Sequence, residues 1–467
     1  MPSLLRRPFR FSPLQLGEDQ VIAEIFISNV SHRTENQASA FGNIFRGPDE
    51  GFRSSARPET MKTRRTAFAL ALVASALLAH QASAARIAPI QRPVDDITDV
   101  RLALAELEQD PEVLFETFVS IHGREYPNEA ERALRFEVFT ANLARAKEMN
   151  SRRESSSEAV YGVRGPFADL TAEEFRQRLL PKPYARPGAA ALERVMGEEL
   201  ELTGTYSDVP DFWDWREHNA VTSVKNQGGV GTCWAFSAVG SIEGQHAIKT
   251  GNLVSLSVEQ ISDCDNTAFP QNNSADCGPN GGLPFMAFEY VMNAGGLELE
   301  SAYPYCIGDW SCNPCFPKGY DEHICGHRLP ADKCDPKDSC DAKFDPSKIA
   351  VKIDTWASIA PDKNETRMAA ELVQSGPVSI GIDAESLQMY WFGIIVSRMC
   401  SSDPRAADHA VLLTGFGTAK DMFFQEMKYW EVKNSWGGSW GEKGYFRARF
   451  GTNTCGIANH GATAVIH

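Results

Sequence analysis

The sequence predicts a chain of the α+β class, and three observations indicate it. Apolar residues recur at helical spacing between residues 110 and 150 and again after Cys233. Further along, runs such as 408–415 and 429–441 are typical of buried strands and of a strand that ends in a glycine-rich loop. Apolar residues make up 43% of the chain and charged residues 23%, which is ordinary for a protein that buries a core.

The individual elements follow from the same patterns. Helices are expected at Cys233 to Ile248, at Ser257 to Cys264 and at Leu283 to Ala294, and strands should dominate from Val378 to the end. Ser257 and Gln260 have the spacing of a capping box at the start of the second helix.

Length, charge and cysteine content limit the possible functions. A chain of 467 residues is long enough for about three domains. It has 46 basic and 61 acidic residues, a net charge of -15, so binding to nucleic acid is not expected. None of the 11 cysteines precedes Cys233, and the odd number predicts disulfides together with one free thiol.

A targeting signal is predicted inside the N-terminal region. Residues 61–65 are basic, residues 67–79 are apolar and residues 82–84 are small, which is the order of a secretory signal peptide. We therefore expect residues 61–84 to be a signal peptide with translation starting at its methionine, and residues 1–60 to be an upstream extension without a role in the fold. The alternative is a signal anchor with a short cytosolic tail. Either route leads to an oxidising compartment, where disulfides are the default.

Residues 85–207 form a region without cysteine that is helical and charged. Glu131 and Arg135 lie four residues apart, as in an intrahelical ion pair. The stretch from Pro181 to Leu200 mixes prolines, small residues and charges, and it is expected to be a linker.

The strongest candidate for chemistry is Cys233. It follows a glycine-rich stretch (226–231) and opens a predicted helix, whose dipole favours a thiolate and lowers the pKa of the thiol. A thiolate nucleophile needs a base, usually histidine. His409 at the start of a strand and Asn434, able to orient an imidazole, are the candidate partners.

These residues resemble the papain-like cysteine peptidases over most of residues 110–467. The blocks Cys-Trp-Ala-Phe, Asp-His and Asn-Ser-Trp-Gly occur in the family's order. The resemblance implies a two-lobed fold, with a helical left lobe and an antiparallel β-barrel-like right lobe, preceded by a helical propeptide. It implies no cofactor and no metal, and it assigns catalysis to Gln227, Cys233, His409 and Asn434.

The resemblance also implies a role for each residue. Cys233 and His409 would form a thiolate–imidazolium pair, while Asn434 holds the ring. Trp436 would cover that hydrogen bond at the edge of the substrate site. The side-chain amide of Gln227 and the backbone N–H of Cys233 would form the oxyanion hole.

The substrate pocket is inferred in the same way. Leu283, Pro284 and Ala410 would line the pocket for the second residue before the cut, which favours an apolar or aromatic side chain. His460 at its floor would accept acidic groups when protonated, or would simply point to solvent.

The region before the enzyme resembles an inhibitory propeptide of the cathepsin L and F type. A helical family pattern falls on Glu131, Arg135, Phe139, Asn142, Ala146 and Asn150, where Ala146 replaces the usual isoleucine. A second motif falls on residues 162–171. We expect the propeptide to span residues 85–207 and the peptidase domain to span residues 208–467.

The disulfide pattern is implied only in part. The resemblance gives Cys264–Cys340 and Cys400–Cys455, and it shows one family bridge missing as a pair, with Val230 and Pro279 in its place. The remaining six cysteines allow 15 pairings: Cys277, Cys306, Cys312, Cys315, Cys325 and Cys334. Most of them lie in a predicted insertion, residues 306–335.

Two other functions of this insertion remain open. With His323 and His327 it could hold a substrate's C-terminal carboxylate, as in dipeptidyl-type exopeptidases of the cathepsin B kind. A zinc site could also form from Cys312, Cys315, His323 and Cys325.

We therefore expect a cysteine endopeptidase made as a zymogen, secreted or lysosomal/vacuolar, that hydrolyses proteins and peptides. It should be a monomer, inhibited by its own propeptide and by cystatin-like inhibitors, with glycosylation candidates at Asn272 and Asn364. The alternatives are an exopeptidase, a catalytically silent binding protein on the same fold, and a transpeptidase or ligase.

Overall fold

The computed structural model describes residues 97–180, 198–199, 209–269, 274–326, 334–360, 362–421, 423 and 425–467. The predicted upstream extension, signal peptide, most of the linker, Asn272 and His327 lie outside these residues. Within them, none of the helices has the length and apolarity needed to cross a bilayer.

Most of the longer helices come first along the chain and the longer strands come last, which is an α+β order. The helices are α1 (Ile97–Glu106), α2 (Pro111–His122), α3 (Glu129–Ser151), α4 (Ala172–Leu179), α5 (Cys233–Thr250), α6 (Val258–Cys264), α7 (Pro284–Ala294), α8 (Glu322–Cys325), α9 (Cys340–Lys343) and α10 (Glu365–Ser375). The strands are β1 (Val160–Tyr161), β2 (Glu198–Glu199), β3 (Trp213–Asp214), β4 (Ala268–Phe269), β5 (Ser274–Ala275), β6 (Leu297–Glu298), β7 (Ile349–Val351), β8 (Thr355–Ile359), β9 (Val378–Ile382), β10 (Tyr390–Phe392), β11 (Ile394–Ile395), β12 (His409–Lys420), β13 (Glu426–Lys433), β14 (Tyr445–Arg449) and β15 (Gly461–Val465).

The long propeptide helices start where the sequence supplies caps. The side chain of Asp110 accepts a hydrogen bond from the first turn of α2, and Asn128 does the same for α3. Gly123 ends α2 in a left-handed conformation. The two helices then bury aromatic side chains against each other, with the rings of Phe115 and Phe139 5.3 Å apart.

A mostly antiparallel sheet forms the right lobe. Its strand order is β11-β14-β13-β12-β9-β15-β8-β2, and β3 pairs with β12. Strands β12 and β13 pair over most of their length, so the start of β12 and the end of β13 lie side by side. The propeptide adds a short ribbon, because β1 pairs antiparallel with β10.

Helix α5 forms the centre of the left lobe. Twelve of its 18 residues are buried, and it packs against α7 on one side and against β12, β15 and β9 on the other. Its N-terminus therefore lies where the helical lobe meets the sheet. The three helices predicted from the sequence are confirmed with small changes at their ends, and strands do dominate after Val378.

The capping box at α6 is only half correct. The hydroxyl of Ser257 accepts from the backbone N–H of Gln260 (2.9 Å). The Gln260 side chain does not return to Ser257, because it bonds to the backbone N–H of Glu298 and to the carbonyl of Gly296. A tertiary contact thus replaces the local one.

Five disulfides join ten of the cysteines. Both bridges implied by the resemblance, Cys264–Cys340 and Cys400–Cys455, are present. The other six pair as Cys277–Cys325, Cys306–Cys312 and Cys315–Cys334. The zinc alternative is therefore wrong, since a sulfur held in a disulfide is not a thiolate ligand. Cys233 is the free thiol.

Candidate active site

Cys233 begins helix α5 and is almost fully buried, with 2% of its surface exposed. Burial raises the pKa of its thiol to about 12, while hydrogen bonds from backbone N–H groups, first that of Ala410, act in the opposite direction. From the helix dipole, the sequence predicts a lowered pKa for this thiol. That prediction is wrong for the structure described, because burial raises the pKa by more than the dipole lowers it. The contact with Ala410 also places the sulfur beside the start of β12.

His409 opens β12 and is oriented by Asn434 at the end of β13. Its Nε2 donates a hydrogen bond to Oδ1 of Asn434 (2.8 Å). The backbone N–H of Ser435 donates to the same Oδ1 (2.8 Å), which supports its assignment as the amide oxygen. Among the described residues, Nδ1 of His409 has no hydrogen-bond partner. It is therefore the ring atom available to take a proton from the thiol.

Trp436 covers this hydrogen bond. Its ring stacks on the imidazole of His409, with centroids 4.7 Å apart and planes 27° from parallel, and it is itself buried. Trp436 therefore lies where the sequence analysis expected it, over the hydrogen bond between His409 and Asn434. Burial lowers the pKa of His409 to about 4, partly offset by the hydrogen bond to Asn434. The histidine is therefore neutral in the closed form.

Gln227 is fully buried, and hydrogen bonds fix its side chain at both ends. Its Oε1 accepts from the hydroxyl of Ser435 (2.7 Å). Its Nε2 donates to the carbonyl of Val230 (2.8 Å) and to the carbonyl of Leu179 (3.3 Å). Leu179 belongs to the propeptide region, so a propeptide carbonyl uses the donor that an oxyanion would need. Ser435 is a partner that the sequence analysis missed, although it lies inside the Asn-Ser-Trp-Gly block.

Aromatic residues of the propeptide region pack directly on the site. Phe167 and Phe175 each meet Trp436 edge to face, with ring centroids 5.4 Å apart. Leu179 and Leu180 are buried beyond them. The segment from Phe167 to Leu180 therefore covers this site, where Cys233 and His409 are both buried.

Residues of the first propeptide motif hold this segment in place. Arg135 forms a two-pronged ion pair with Glu174 (2.8 and 2.9 Å) and also donates to the carbonyl of Asp169. Asn142 donates to the carbonyls of Ala168 and Leu170. The polar residues of the motif on α3 thus bind the backbone and side chains of the covering segment.

The predicted pocket residues are distributed over both lobes. Leu283 and Pro284, both half-buried, open α7. Ala410 pairs with Gly381 across β12 and β9, and a Cβ on Gly381 would lie 3.7 Å from that of His460. His460 is half-buried rather than fully exposed, and its ring lies 3.4 Å from the carbonyl of Pro404. Ala410 and His460 therefore both lie next to Gly381 of β9.

Asp276 supports the pocket wall and was missed by the sequence analysis. Its Oδ1 accepts from the backbone N–H of Leu283 (2.7 Å). It shares a further hydrogen bond with Asp265, and both carboxyl groups are buried. Burial raises the pKa of Asp265 to about 6 and raises that of Asp276 well above its ordinary value. The pair therefore holds a shared proton at acidic pH.

Comparison with known proteins agrees with this geometry. The family model for papain family cysteine protease matches residues 209–465, and the model for the cathepsin propeptide inhibitor domain (I29) matches residues 115–175. Probable cysteine protease RD19C of Arabidopsis thaliana is 38% identical over 384 residues, covering 81% of this chain and 90% of the relative. Cathepsin F of Mus musculus is 32% identical over 422 residues, covering 88% and 79%.

Among solved structures, the chain is similar to digestive procathepsin L2 proteinase from the larval midgut of Tenebrio molitor. The TM-score is 0.60 at 28% identity, covering 76% of this chain and all of that one. The fold, the cluster around Cys233 and the matches in both regions lead to one conclusion. The chain belongs to the papain family of cysteine proteases and is a cathepsin L/F-like endopeptidase made as a zymogen with its own inhibitory propeptide.

Proposed function

We propose that Cys233, His409, Asn434 and Gln227 carry out peptide hydrolysis in this endopeptidase. The observation that carries the assignment is the buried hydrogen bond from His409 to Asn434, which leaves Nδ1 as the candidate base, while the free thiol of Cys233 contacts the backbone of Ala410, the residue after His409. A catalytically silent protein on the same fold would have no need to keep this set together.

The mechanism follows from these positions. The thiol of Cys233 gives its proton to Nδ1 of His409, and the sulfur attacks the substrate carbonyl carbon. The oxygen, now negatively charged, accepts hydrogen bonds from Nε2 of Gln227 and from the backbone N–H of Cys233. His409 then protonates the leaving amine, and a water activated by the same ring hydrolyses the thioester. Asn434 keeps the ring plane fixed through both proton transfers.

The decisive experiment is Cys233→Ala in the activated enzyme, with Ser262→Ala as a matched substitution in the helix after α5. We expect Cys233→Ala to abolish peptide cleavage and labelling by a thiol-reactive probe, with an unchanged unfolding temperature. The Ser262 variant should keep both activities. Cleavage retained by the Cys233 variant would refute the assignment.

We also propose that the pocket prefers apolar or aromatic side chains, with an added pH-dependent tolerance of acidic ones. Leu283 and Pro284 supply apolar surface, and His460 and Ala410 both lie next to Gly381. A protonated imidazole attracts a carboxylate. Substrates with Leu, Phe or Glu at the second position should be compared from pH 4 to 7 in the enzyme and in its His460→Asn variant. A rise in Glu cleavage at low pH that survives the substitution would exclude His460 as its cause.

The insertion also allows a test of the exopeptidase alternative. His323 is exposed on the short helix α8, in a region closed by two disulfides. Cleavage of a peptide with an amidated C-terminus at the same rate as the free acid supports endopeptidase action. A strong preference for the free carboxylate, removed by His323→Ala, would support dipeptide release.

We further propose a secretory route, with the lysosome, the vacuole or the exterior as its end point. Five disulfides are in keeping with an oxidising compartment. Asn364 is exposed and caps α10 with its side-chain oxygen, which leaves its amide nitrogen as the attachment atom for a glycan. N-terminal sequencing of the natural protein tests the signal peptide at 61–84, the propeptide at 85–207 and the enzyme at 208–467. Peptides from residues 1–60 would contradict the start at Met61.

Two partner proposals complete this assignment. The enzyme is expected to act as a monomer and to bind cystatin-like inhibitors in the cleft that the propeptide vacates. Sedimentation of the activated enzyme, alone and with a cystatin, tests both proposals.

A further inference from the structure

The loop that carries both oxyanion donors is tied together by one tyrosine. The hydroxyl of Tyr305 donates to the backbone carbonyl of Gln227 (2.8 Å) and lies 2.7 Å from the hydroxyl of Thr232. Gln227 provides the side-chain donor, and Thr232 directly precedes Cys233, which provides the backbone donor. Tyr305 thus connects the two ends of the loop 227–232.

Thr232 has no other evident use for its hydroxyl. It occupies the cap position of helix α5, yet its side chain makes no capping hydrogen bond. Its side chain is fully buried, where an unmade hydrogen bond would be costly. The contact with Tyr305 therefore accounts for a polar side chain at this position.

The loop 227–232 contains no cysteine, so no disulfide fixes it. Val230 and Pro279 stand where the family resemblance places a disulfide, and the connection between these segments is the hydrogen bond from the N–H of Gly231 to the carbonyl of Pro279 (2.7 Å). Val230 instead packs against Ile307 and Cys312. The anchor of the loop has therefore moved to the segment after Tyr305.

That segment, residues 305–312, lies in close contact with the loop. The N–H of Gly229 donates to the carbonyl of Gly308 (3.0 Å). A Cβ on Gly308 would come within 2.4 Å of the carbonyl oxygen of Gln227, and one on Gly228 would come within 2.0 Å of that of Gly308. Only glycine fits at either position, so the two backbones lie directly against each other.

The support behind Tyr305 is itself well fixed. The backbone N–H of Tyr305 donates to Glu300 (2.9 Å). The Cys306–Cys312 disulfide closes the segment, and the buried carboxylate of Glu259 accepts from the N–H groups of Cys306 and Ile307 (3.1 and 3.3 Å). A hydroxyl held on such a base can fix the position of the loop it touches.

We propose that Tyr305 is a positioning residue for the oxyanion hole, holding Gln227 and the N-terminus of α5 at the spacing that the reaction needs. Displacements of about 1 Å in a catalytic site can cost on the order of 100-fold in rate. Removal of one hydroxyl shifts the loop by less, so a loss of roughly tenfold is expected. The proposal rests on the oxyanion role proposed for Gln227.

The test uses the activated enzyme with Tyr305→Phe. We expect kcat to fall roughly tenfold while KM changes by less than about twofold, because the oxyanion forms after substrate binding. Tyr303→Phe is the matched control, since the hydroxyl of that buried tyrosine donates to Asp263 (2.7 Å) and not to the loop 227–232. It should lower the unfolding temperature and leave kcat unchanged.

A double-substitution cycle separates positioning from general damage. In a Gln227→Ala background, Tyr305→Phe should cost clearly less than in the unsubstituted enzyme, because one of the two donors that it positions is already absent. Alkylation of Cys233 by iodoacetamide, which forms no oxyanion, should be unaffected by Tyr305→Phe. An unchanged kcat, an equal loss in both backgrounds or an equal loss in alkylation would each overturn the proposal.

If Tyr305→Phe folds poorly, two variants of Thr232 provide an independent test. Thr232→Val removes the hydroxyl at constant shape and should lower kcat severalfold, whereas Thr232→Ser keeps it and should restore the rate. Equal rates for the two variants would refute the proposal. Should Gln227→Ala itself leave kcat unchanged, the oxyanion assignment fails first, which distinguishes the two results.

Discussion

Phe175 should control how tightly the propeptide closes the active site. Its ring is 1% exposed and packs between Phe167 and Trp436, while Trp436 stacks on His409. A Phe175→Ala substitution removes this contact and leaves a cavity next to Trp436, the residue that stacks on His409. The substitution therefore reduces the stability of the closed zymogen relative to a form with the covering segment released.

The size of the effect can be worked out from these contacts. Truncation of a buried phenylalanine to alanine costs about 3–5 kcal/mol. Phe175 contacts Phe167 of the propeptide as well as Trp436 of the enzyme, so about half of this cost, roughly 2 kcal/mol, falls on the closed interface. Since 1.4 kcal/mol corresponds to a factor of ten, the open fraction should rise about 30-fold.

The assay is the rate at which a thiol-reactive probe labels Cys233 in the uncleaved zymogen at neutral pH, with mass spectrometry confirming that the propeptide is intact. Leu134→Ala is the matched control, because Leu134 lies on α3 and is 47% exposed. We expect about 30-fold faster labelling for Phe175→Ala and an unchanged rate for Leu134→Ala. A folded Phe175 variant that is labelled at the original rate would refute the reasoning.

Three further outcomes are expected. Asn434→Ala should lower kcat roughly 10- to 100-fold, because a hydrogen bond to a charged imidazolium contributes about 1.5–3 kcal/mol. Steady-state kinetics would measure the loss, and a change in KM alone would contradict the orienting role. Asp276→Asn should flatten the pH dependence of stability: burial and the neighbouring Asp265 raise the pKa of Asp276 well above its ordinary value of 3.8, so this group contributes stability fully below about pH 4 and loses it as pH rises through the raised pKa, a titration that asparagine lacks. Thermal unfolding from pH 4 to 7 would show it, and an unaltered slope would exclude the pair. Arg135→Lys should speed acid activation of the zymogen, since lysine cannot form the two-pronged ion pair; gel analysis of propeptide removal measures it, and an unchanged activation rate would show that the pair does not limit release.

The site could be read from the sequence because its residues lie in short local blocks. Cys233 opens a helix that its own apolar spacing predicts, and Asn434 ends a strand marked by alternating apolar residues. The pairing of the six remaining cysteines could not be predicted, because it depends on which loops meet in space. The capping box predicted at Gln260 was only half correct for the same reason, since its side-chain oxygen accepts from the backbone N–H of Glu298, which is distant in sequence.

The effect of the propeptide on the ionisation of Cys233 and His409 depends on tertiary packing, so no local sequence motif predicts it. Burial raises the pKa of Cys233 to about 12 from an ordinary value of 9.0. At about 1.4 kcal/mol for each pKa unit, this costs the thiolate on the order of 4 kcal/mol. A helix N-terminus contributes only about 1 kcal/mol in return. The helix dipole therefore favours the thiolate of Cys233, but by less than burial disfavours it while the propeptide segment covers the site.

The same burial lowers the pKa of His409, so it opposes both ions of the reactive pair. Release of the segment that carries Phe175 and Leu179 would admit water to the sulfur and the ring together. It would also free Nε2 of Gln227 from the Leu179 carbonyl. One movement thus restores access, the ion pair and the oxyanion donor, so the covering segment acts on all three requirements of the reaction at once.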